Sequence, residues 1–248
     1  MDITELLSAV AAWLGQAWQR SQPGPVPATD DAVLAGVGFA VLAAVAVPPL
    51  WRRVRVGVTV VHELGHGLVG ILCGRRFTGL VLRADMSGHA VTVGPARGPG
   101  RVISTWAGYP APAVVGALLI RAAGTGWPGP VLGLATLVLV VSLVRVRSLY
   151  TAVVMLALIV ATGAVWWWGS AELRGAVLLG VGVFLLAGAW RHLGALVTAP
   201  SPSSDAGVLA RLTRVPAWLW VLSFAVVLAV ATWSAVGPVL AAGAASGA

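Results

Sequence analysis

The chain has 248 residues, of which 58% are hydrophobic and 10% are charged, and its mean hydropathy is +0.92. This composition indicates an integral membrane protein and excludes an ordinary soluble domain. The net charge of +8 comes from arginine alone, because the sequence contains no lysine. The arginines lie in short segments between apolar runs, where they set topology and contact lipid headgroups, so no nucleic-acid partner is expected. The single cysteine, Cys73, excludes an intrachain disulfide and a cysteine-rich zinc module.

The first thirty residues predict a separate N-terminal segment. Apolar residues recur at helical spacing between Leu6 and Trp18, a pattern typical of an amphipathic helix in the membrane interface. A proline-rich stretch over residues 21–30 then ends this element. We therefore predict an N-terminal amphipathic helix and Pro-rich linker over residues 1–30, and a transmembrane domain over residues 31–248.

The remaining sequence predicts an all-α polytopic membrane protein with six to seven transmembrane helices. Most of its apolar runs approach the roughly 20 residues that a helix needs to cross the hydrocarbon layer. Only Arg145 and Arg147 separate the fourth run from the fifth, so the count is six or seven, with seven preferred. The predicted spans are residues 32–50, 56–73, 104–120, 130–144, 149–168, 175–190 and 216–236.

The second predicted span contains the sequence His-Glu-Leu-Gly-His. His62 and His66 lie one helical turn apart on one face, so both imidazoles can bind the same metal ion. Glu63 beside them can act as general base on a water that the metal activates. Ionisable groups are costly in hydrocarbon, so this cluster predicts a functional site. The alternative is a set of satisfied polar residues on a packed helix.

A small β-hairpin is predicted directly after the metal-binding helix. Residues 77–83 and 89–94 are β-prone runs on either side of a turn-rich stretch, residues 84–88. An open edge of this hairpin could bind an extended substrate by strand addition. A structural hairpin that only caps the helical bundle is the alternative.

A catalytic zinc site needs three protein ligands and one open position, so a third ligand must come from elsewhere in the chain. Asp205 is the best candidate, because it follows a proline-broken stretch and begins a predicted helix with Ser203 or Ser204 as N-cap. Asp85 and His89 in the hairpin come next, although a turn aspartate usually bonds its own backbone. The weaker candidates are His192 and Glu172.

The third predicted span begins with Tyr109, Pro110 and Pro112, and its prolines predict a break or kink. A kinked helix that faces the metal could free backbone groups for substrate binding. The Tyr109 hydroxyl could then donate a hydrogen bond to a developing oxyanion. The alternative is a tyrosine that anchors the helix at the membrane interface.

These motifs resemble the site-2 protease family of intramembrane zinc metalloproteases, the M50 peptidases, and in particular its compact M50B-like bacterial members. The resemblance rests on the histidine motif in an early membrane helix, on the hairpin after it, and on Asp205 with Pro200 and Pro202 before it. It implies that His62, His66 and Asp205 bind zinc and that Glu63 is the general base. The chain departs from the family pattern at the motif asparagine, since it contains no asparagine and Val197 occupies the approximate place.

We therefore expect a zinc-dependent intramembrane endopeptidase that hydrolyses peptide bonds in or near transmembrane segments of membrane protein substrates. The expected cofactor is Zn²⁺, and the expected partners are the lipid bilayer and a substrate with a transmembrane segment. The expected location is the bacterial plasma membrane, with several spans. The alternative is a catalytically silent membrane scaffold or regulator that retains a metal site. A metal transporter is disfavoured, because it would need polar residues along several spans.

Overall fold

The computed structural model describes residues 2–26 and 30–246, with side chains through residue 237. The described chain is mostly helical and contains a two-stranded antiparallel sheet, which confirms the predicted helical membrane fold with a small hairpin. The hairpin strands are β1 (Arg76–Leu82) and β2 (Gly88–Val93), and a 3-10 turn covers Leu143–Arg145. The helices are α1 (Ile3–Arg20), α2 (Asp31–Ala46), α3 (Pro48–Val54), α4 (Val56–Leu72), α5 (Pro99–Trp106), α6 (Pro110–Ala123), α7 (Pro128–Ser142), α8 (Leu149–Trp168), α9 (Ala171–Thr198), α10 (Asp205–Thr213) and α11 (Ala217–Ser246).

The described residues contain four helices that are long and apolar enough to cross a membrane, or up to six spans if each bent pair is one span. The two bent pairs are Asp31–Ala46 with Pro48–Leu72, at 94°, and Pro99–Trp106 with Pro110–Ala123, at 59°. Each bend falls at a proline, which removes a helical hydrogen bond and clashes with the preceding turn. The preferred count of seven is not confirmed, because two of its runs, residues 32–50 and 56–73, form a single bent pair.

Helix α4 carries the histidine motif and packs against both the hairpin and helix α5–α6. Its glycines allow this close packing. A Cβ at Gly65 would collide with Ala111, and one at Gly67 would collide with the ring of Phe77. Small residues permit such close helix contacts in membrane proteins. As a result, the histidine motif lies between the hairpin on one side and α5 and α6 on the other.

The hairpin has one covered edge and one edge that faces α4. On β1, the Arg147 N–H donates to the Leu80 carbonyl at 3.1 Å, and the Leu82 N–H donates to the Thr151 hydroxyl at 2.7 Å. These bonds use the backbone groups of β1 that face away from β2. The outer edge of β2 faces α4, and there Ala90 turns its N–H away from β1 and donates it to Glu63 at 2.7 Å.

The N-terminal helix α1 buries none of its residues in the protein. Its apolar side chains remain exposed, while Trp13 stacks on Trp167 near the end of α8, with ring centroids 5.5 Å apart. The bounds of α1 agree with the predicted amphipathic helix, and its position in the membrane interface stays a prediction. Residues 27–29 of the predicted linker and residues 247–248 of the predicted domain lie outside the described residues.

Candidate metal centre

Three side chains from two distant parts of the chain meet at one point. His62 and His66 project from successive turns of α4, and Asp205 is the first residue of α10. The two Nε2 atoms are 3.1 Å apart, and Asp205 Oδ2 lies 3.3 Å from Nε2 of His62 and 3.2 Å from that of His66. Ligand atoms around a tetrahedral zinc, with bonds of about 2.0–2.1 Å, lie about 3.4 Å from one another. The observed triangle therefore has the size of a zinc site.

The residues also fit a metal ion chemically. Asp205 Oδ2 is buried and accepts no hydrogen bond from the part of the chain that the structure describes. A buried carboxylate oxygen without a donor is costly, and a cation between the three ligand atoms would remove this cost. Two imidazole nitrogens and a carboxylate oxygen form a ligand set that suits Zn²⁺. His62, His66 and Asp205 could thus hold a metal ion together.

The sequence around Asp205 explains how this carboxylate is held. Ser204 is the N-cap of α10, as one of the two predicted candidates, and its hydroxyl accepts from the Gly207 N–H at 3.3 Å. The same hydroxyl donates to the Ser201 carbonyl at 2.6 Å. A Cβ at Gly207 would overlap the carbonyl oxygens of Ser201 and Pro202. The loop before α10 is therefore folded tightly against its first turn, where Asp205 stands.

Ser104 of helix α5 fixes the orientation of His66. The ring nitrogen Nδ1 of His66 lies 2.8 Å from the Ser104 carbonyl, and the Ser104 hydroxyl donates to the His66 carbonyl at 3.0 Å. A carbonyl oxygen only accepts, so Nδ1 carries the proton and Nε2 keeps its lone pair for a metal. Sequence reasoning missed this residue, because its bond to the ring comes from the backbone and leaves no signal in the residue type.

The Glu63 side chain extends from α4 to the hairpin. It is 5% exposed, and its Oε2 accepts a hydrogen bond of 2.7 Å from the Ala90 N–H of β2. This approach requires a glycine at position 88, where a Cβ would collide with Glu63. The other carboxylate oxygen, Oε1, accepts no hydrogen bond within residues 2–26 and 30–246, so it can take a proton from a substrate or a water.

A cavity of about 680 Å³ opens over these groups. The two histidines, Glu63 and Asp205 lie on its wall together with β2, Arg101 of α5 and Tyr109. The Tyr109 ring meets the His62 ring edge-on, at a centroid distance of 5.1 Å, and stacks on Phe224 at 5.0 Å. Tyr109 is therefore packed directly beside the candidate metal ligands, between His62 and Phe224.

The other predicted ligand candidates lie outside this triangle. Asp85 accepts from the Ser87 N–H at 2.9 Å and from its hydroxyl at 2.6 Å, and these bonds lower the pKa of the exposed Asp85 carboxyl. Asp85 thus bonds its own turn, as a turn aspartate usually does. His89 is exposed on β2 and borders the cavity. His192 is half-buried beside another cavity, of about 310 Å³, whose wall also includes His62 and Glu63. Glu172 lies in the first turn of α9.

Gly108 is a second residue that sequence reasoning missed. It lies between α5 and α6, directly against the two imidazoles, and a Cβ there would overlap atoms of both His62 and His66. The sequence offers a weak signal, since glycine and proline cluster around Tyr109, but the contact itself arises only in three dimensions. Gly108 therefore leaves the room that the two histidine rings occupy.

We expect the Gly108→Ala variant to bind zinc at least about tenfold more weakly, because the added methyl group displaces the rings. Zinc per chain, measured by elemental analysis after dialysis against buffered zinc, checks this. The control is Gly194→Ala on α9, where a Cβ meets nothing within 4 Å. Equal zinc affinity in Gly108→Ala and the control would contradict the prediction.

Three comparisons with known proteins bear on this geometry. A model of the family described as Peptidase M50B-like matches residues 35–235, which is most of the chain and includes all three residues of the triangle. No curated protein and no solved structure matches the chain.

Proposed function

The chain belongs to the Peptidase M50B-like family, and from this premise we propose that it is a zinc-dependent intramembrane endopeptidase. It would hydrolyse peptide bonds in or near the transmembrane segments of membrane protein substrates. One observation supports this most: His62, His66 and Asp205 converge beside the buried Glu63, in a polar cavity within apolar helices. Ionisable groups are rarely kept at such a place without a function.

We assign His62, His66 and Asp205 as the zinc ligands. The orphaned Oδ2 of Asp205 and the fixed tautomer of His66 both support this assignment. A zinc ion bound there would polarise the scissile carbonyl and lower the pKa of a water towards about 7.

Glu63 is the general base in this proposal. Its free Oε1 takes a proton from the attacking water while the water oxygen forms a bond to the carbonyl carbon. Oε1 then passes this proton to the leaving nitrogen as the carbon–nitrogen bond breaks. The second proton of the water stays on the new carboxyl group until it passes to the amine, so the products are a carboxylate and an ammonium group, and Glu63 ends in its original state. The hydrogen bond from Ala90 to Oε2 keeps the carboxylate aimed at the cavity throughout.

The outer edge of β2 is the proposed substrate-binding surface. A membrane helix must unwind before hydrolysis, because its backbone is otherwise hydrogen-bonded and sterically closed. An extended segment could then pair with β2 along the cavity wall. Tyr109 is our candidate donor to the oxygen that gains negative charge, since it lines the same cavity and the chain has no asparagine for this task.

The proposed setting follows from the same features. The apolar helices and the family indicate a multi-pass membrane protein, whose partners are lipids and membrane protein substrates. We propose a bacterial plasma membrane as its location. The chain has arginine but no lysine, and it has no asparagine, which is a composition typical of GC-rich bacterial genomes.

Metal removal provides the direct test. In liposomes, the protein is incubated with a library of single-span membrane proteins, and new termini are identified by mass spectrometry. We expect a zinc chelator to abolish cleavage and added Zn²⁺ to restore it, because the cavity groups alone lack a Lewis acid. Cleavage that persists in zinc-depleted protein would contradict the proposal. Bound zinc with no product from any library member would favour the silent scaffold.

A further inference from the structure

One wall of the cavity carries a positive charge that no described residue neutralises. Arg101 lies in the first turn of α5, is half-buried, and borders the cavity over the metal centre. Within residues 2–26 and 30–246, its side chain forms no ion pair, and the ion-pair contacts of the chain join Asp205 to the two histidines. The guanidinium therefore keeps its hydrogen-bond donors available to whatever enters the cavity.

The neighbouring arginine shows what a structural arginine looks like at this place. Arg75 is 5% exposed, and its guanidinium donates to the Thr92 hydroxyl at 3.3 Å and to the Pro95 carbonyl at 2.8 Å. Desolvation and, to a smaller extent, the positive charge of Arg101 lower the pKa of Arg75. Arg75 thus ties the end of β2 to the end of α4 and adds positive potential, whereas Arg101 keeps free donors.

Arg101 also lies at a useful distance from the bond that would be cut. Arg101 and the three candidate ligands line the same cavity, and a sphere of its volume, about 680 Å³, is about 11 Å across. An extended chain advances about 3.3 Å per residue. A substrate strand along β2 would therefore carry a side chain past Arg101 within about three residues of the metal centre.

We propose that Arg101 selects substrates that carry an aspartate or glutamate within about three residues of the scissile bond. The inference rests on the proposed function and adds a substrate class to it. A guanidinium binds a carboxylate through two parallel hydrogen bonds, a geometry that a neutral amide cannot match. Partial burial strengthens this discrimination, because water competes less for both groups.

The experiment measures binding, so that it does not depend on turnover. Glu63→Gln protein in neutral phosphatidylcholine nanodiscs is titrated with fluorescent short peptides that differ by Glu or Gln at one position. We expect the Glu peptide to bind at least about tenfold more tightly at one position or two neighbouring ones. Arg101→Gln should abolish this preference, and Arg101→Glu should replace it with a preference for Lys at the same position. The control, Arg76→Gln, removes an exposed charge from the start of β1 and should keep the preference.

Equal binding of Glu and Gln peptides at every position would overturn the inference. This is also the result expected if Arg101 binds a lipid phosphate instead. A preference that survives in Arg101→Gln would overturn it as well.

Cleavage of the same peptides by protein with Glu63 intact is measured separately. Charge-selective binding without cleavage would refute the endopeptidase, while Arg101 would stand as a carboxylate-binding residue.

Discussion

The Glu63→Gln variant is expected to lose peptide cleavage by about 10²–10⁴-fold while it keeps its zinc. The amide has the shape of the carboxylate, and its oxygen can still accept the hydrogen bond from Ala90. It cannot take a proton from water, so only the base is removed. Initial cleavage rates and zinc per chain, measured on the same preparation, check both parts of the expectation.

The matched control is Glu172→Gln, which makes the same chemical change in the first turn of α9, away from the cavity. It should cleave at the normal rate. Normal cleavage by Glu63→Gln would show that Glu63 is not the base. Loss of zinc together with cleavage would show that Glu63 acts through the fold of the site instead.

Asp205→Ala is expected to lower zinc affinity more than about 100-fold, beyond the 10- to 100-fold effect that is usual for a residue that only orients a ligand. The variant removes the one carboxylate of the triangle and leaves two imidazoles, too few for a stable site. Wild-type protein should hold about one zinc per chain. Competition with a fluorescent zinc chelator measures the affinity, and circular dichroism verifies that the helices remain.

Two control variants separate Asp205 from the other candidate ligands. Asp85→Ala breaks only the turn bonds to Ser87, and His89→Ala removes an exposed ring from β2. Both should keep wild-type zinc affinity. If Asp205→Ala retained zinc and one of these variants lost it, the third ligand would lie in the hairpin.

Local patterns in the sequence predicted those parts of the fold that depend on neighbouring residues. The spacing of His62 and His66 defines one helix face, and the β-prone runs around residues 84–88 predict the hairpin to within one residue of β1 and β2. Asp205 could be proposed because a serine cap and a helix start leave a local signal. Each of these features needs only a few consecutive residues.

Features that depend on contacts between distant residues could not be predicted from the sequence. Ser104 orients His66 through its backbone carbonyl, which every residue type has. Gly108 makes room for the two histidine rings because it has no Cβ. The exact span count is not confirmed for a related reason: hydropathy cannot distinguish two spans from one helix pair bent at Pro48. The same apolar residues are compatible with both arrangements.

The hydrogen bond between Ala90 and Glu63 has a consequence for where a substrate would be cut. The Ala90 N–H already donates to Glu63, so a strand that paired with β2 would lack one backbone hydrogen bond at that position. The substrate carbonyl opposite Ala90 would receive no hydrogen bond from β2, and we predict that this carbonyl is the one attacked. The position of this missing hydrogen bond would then determine the cleavage position. The backbone register of the substrate would set that position independently of its side chains.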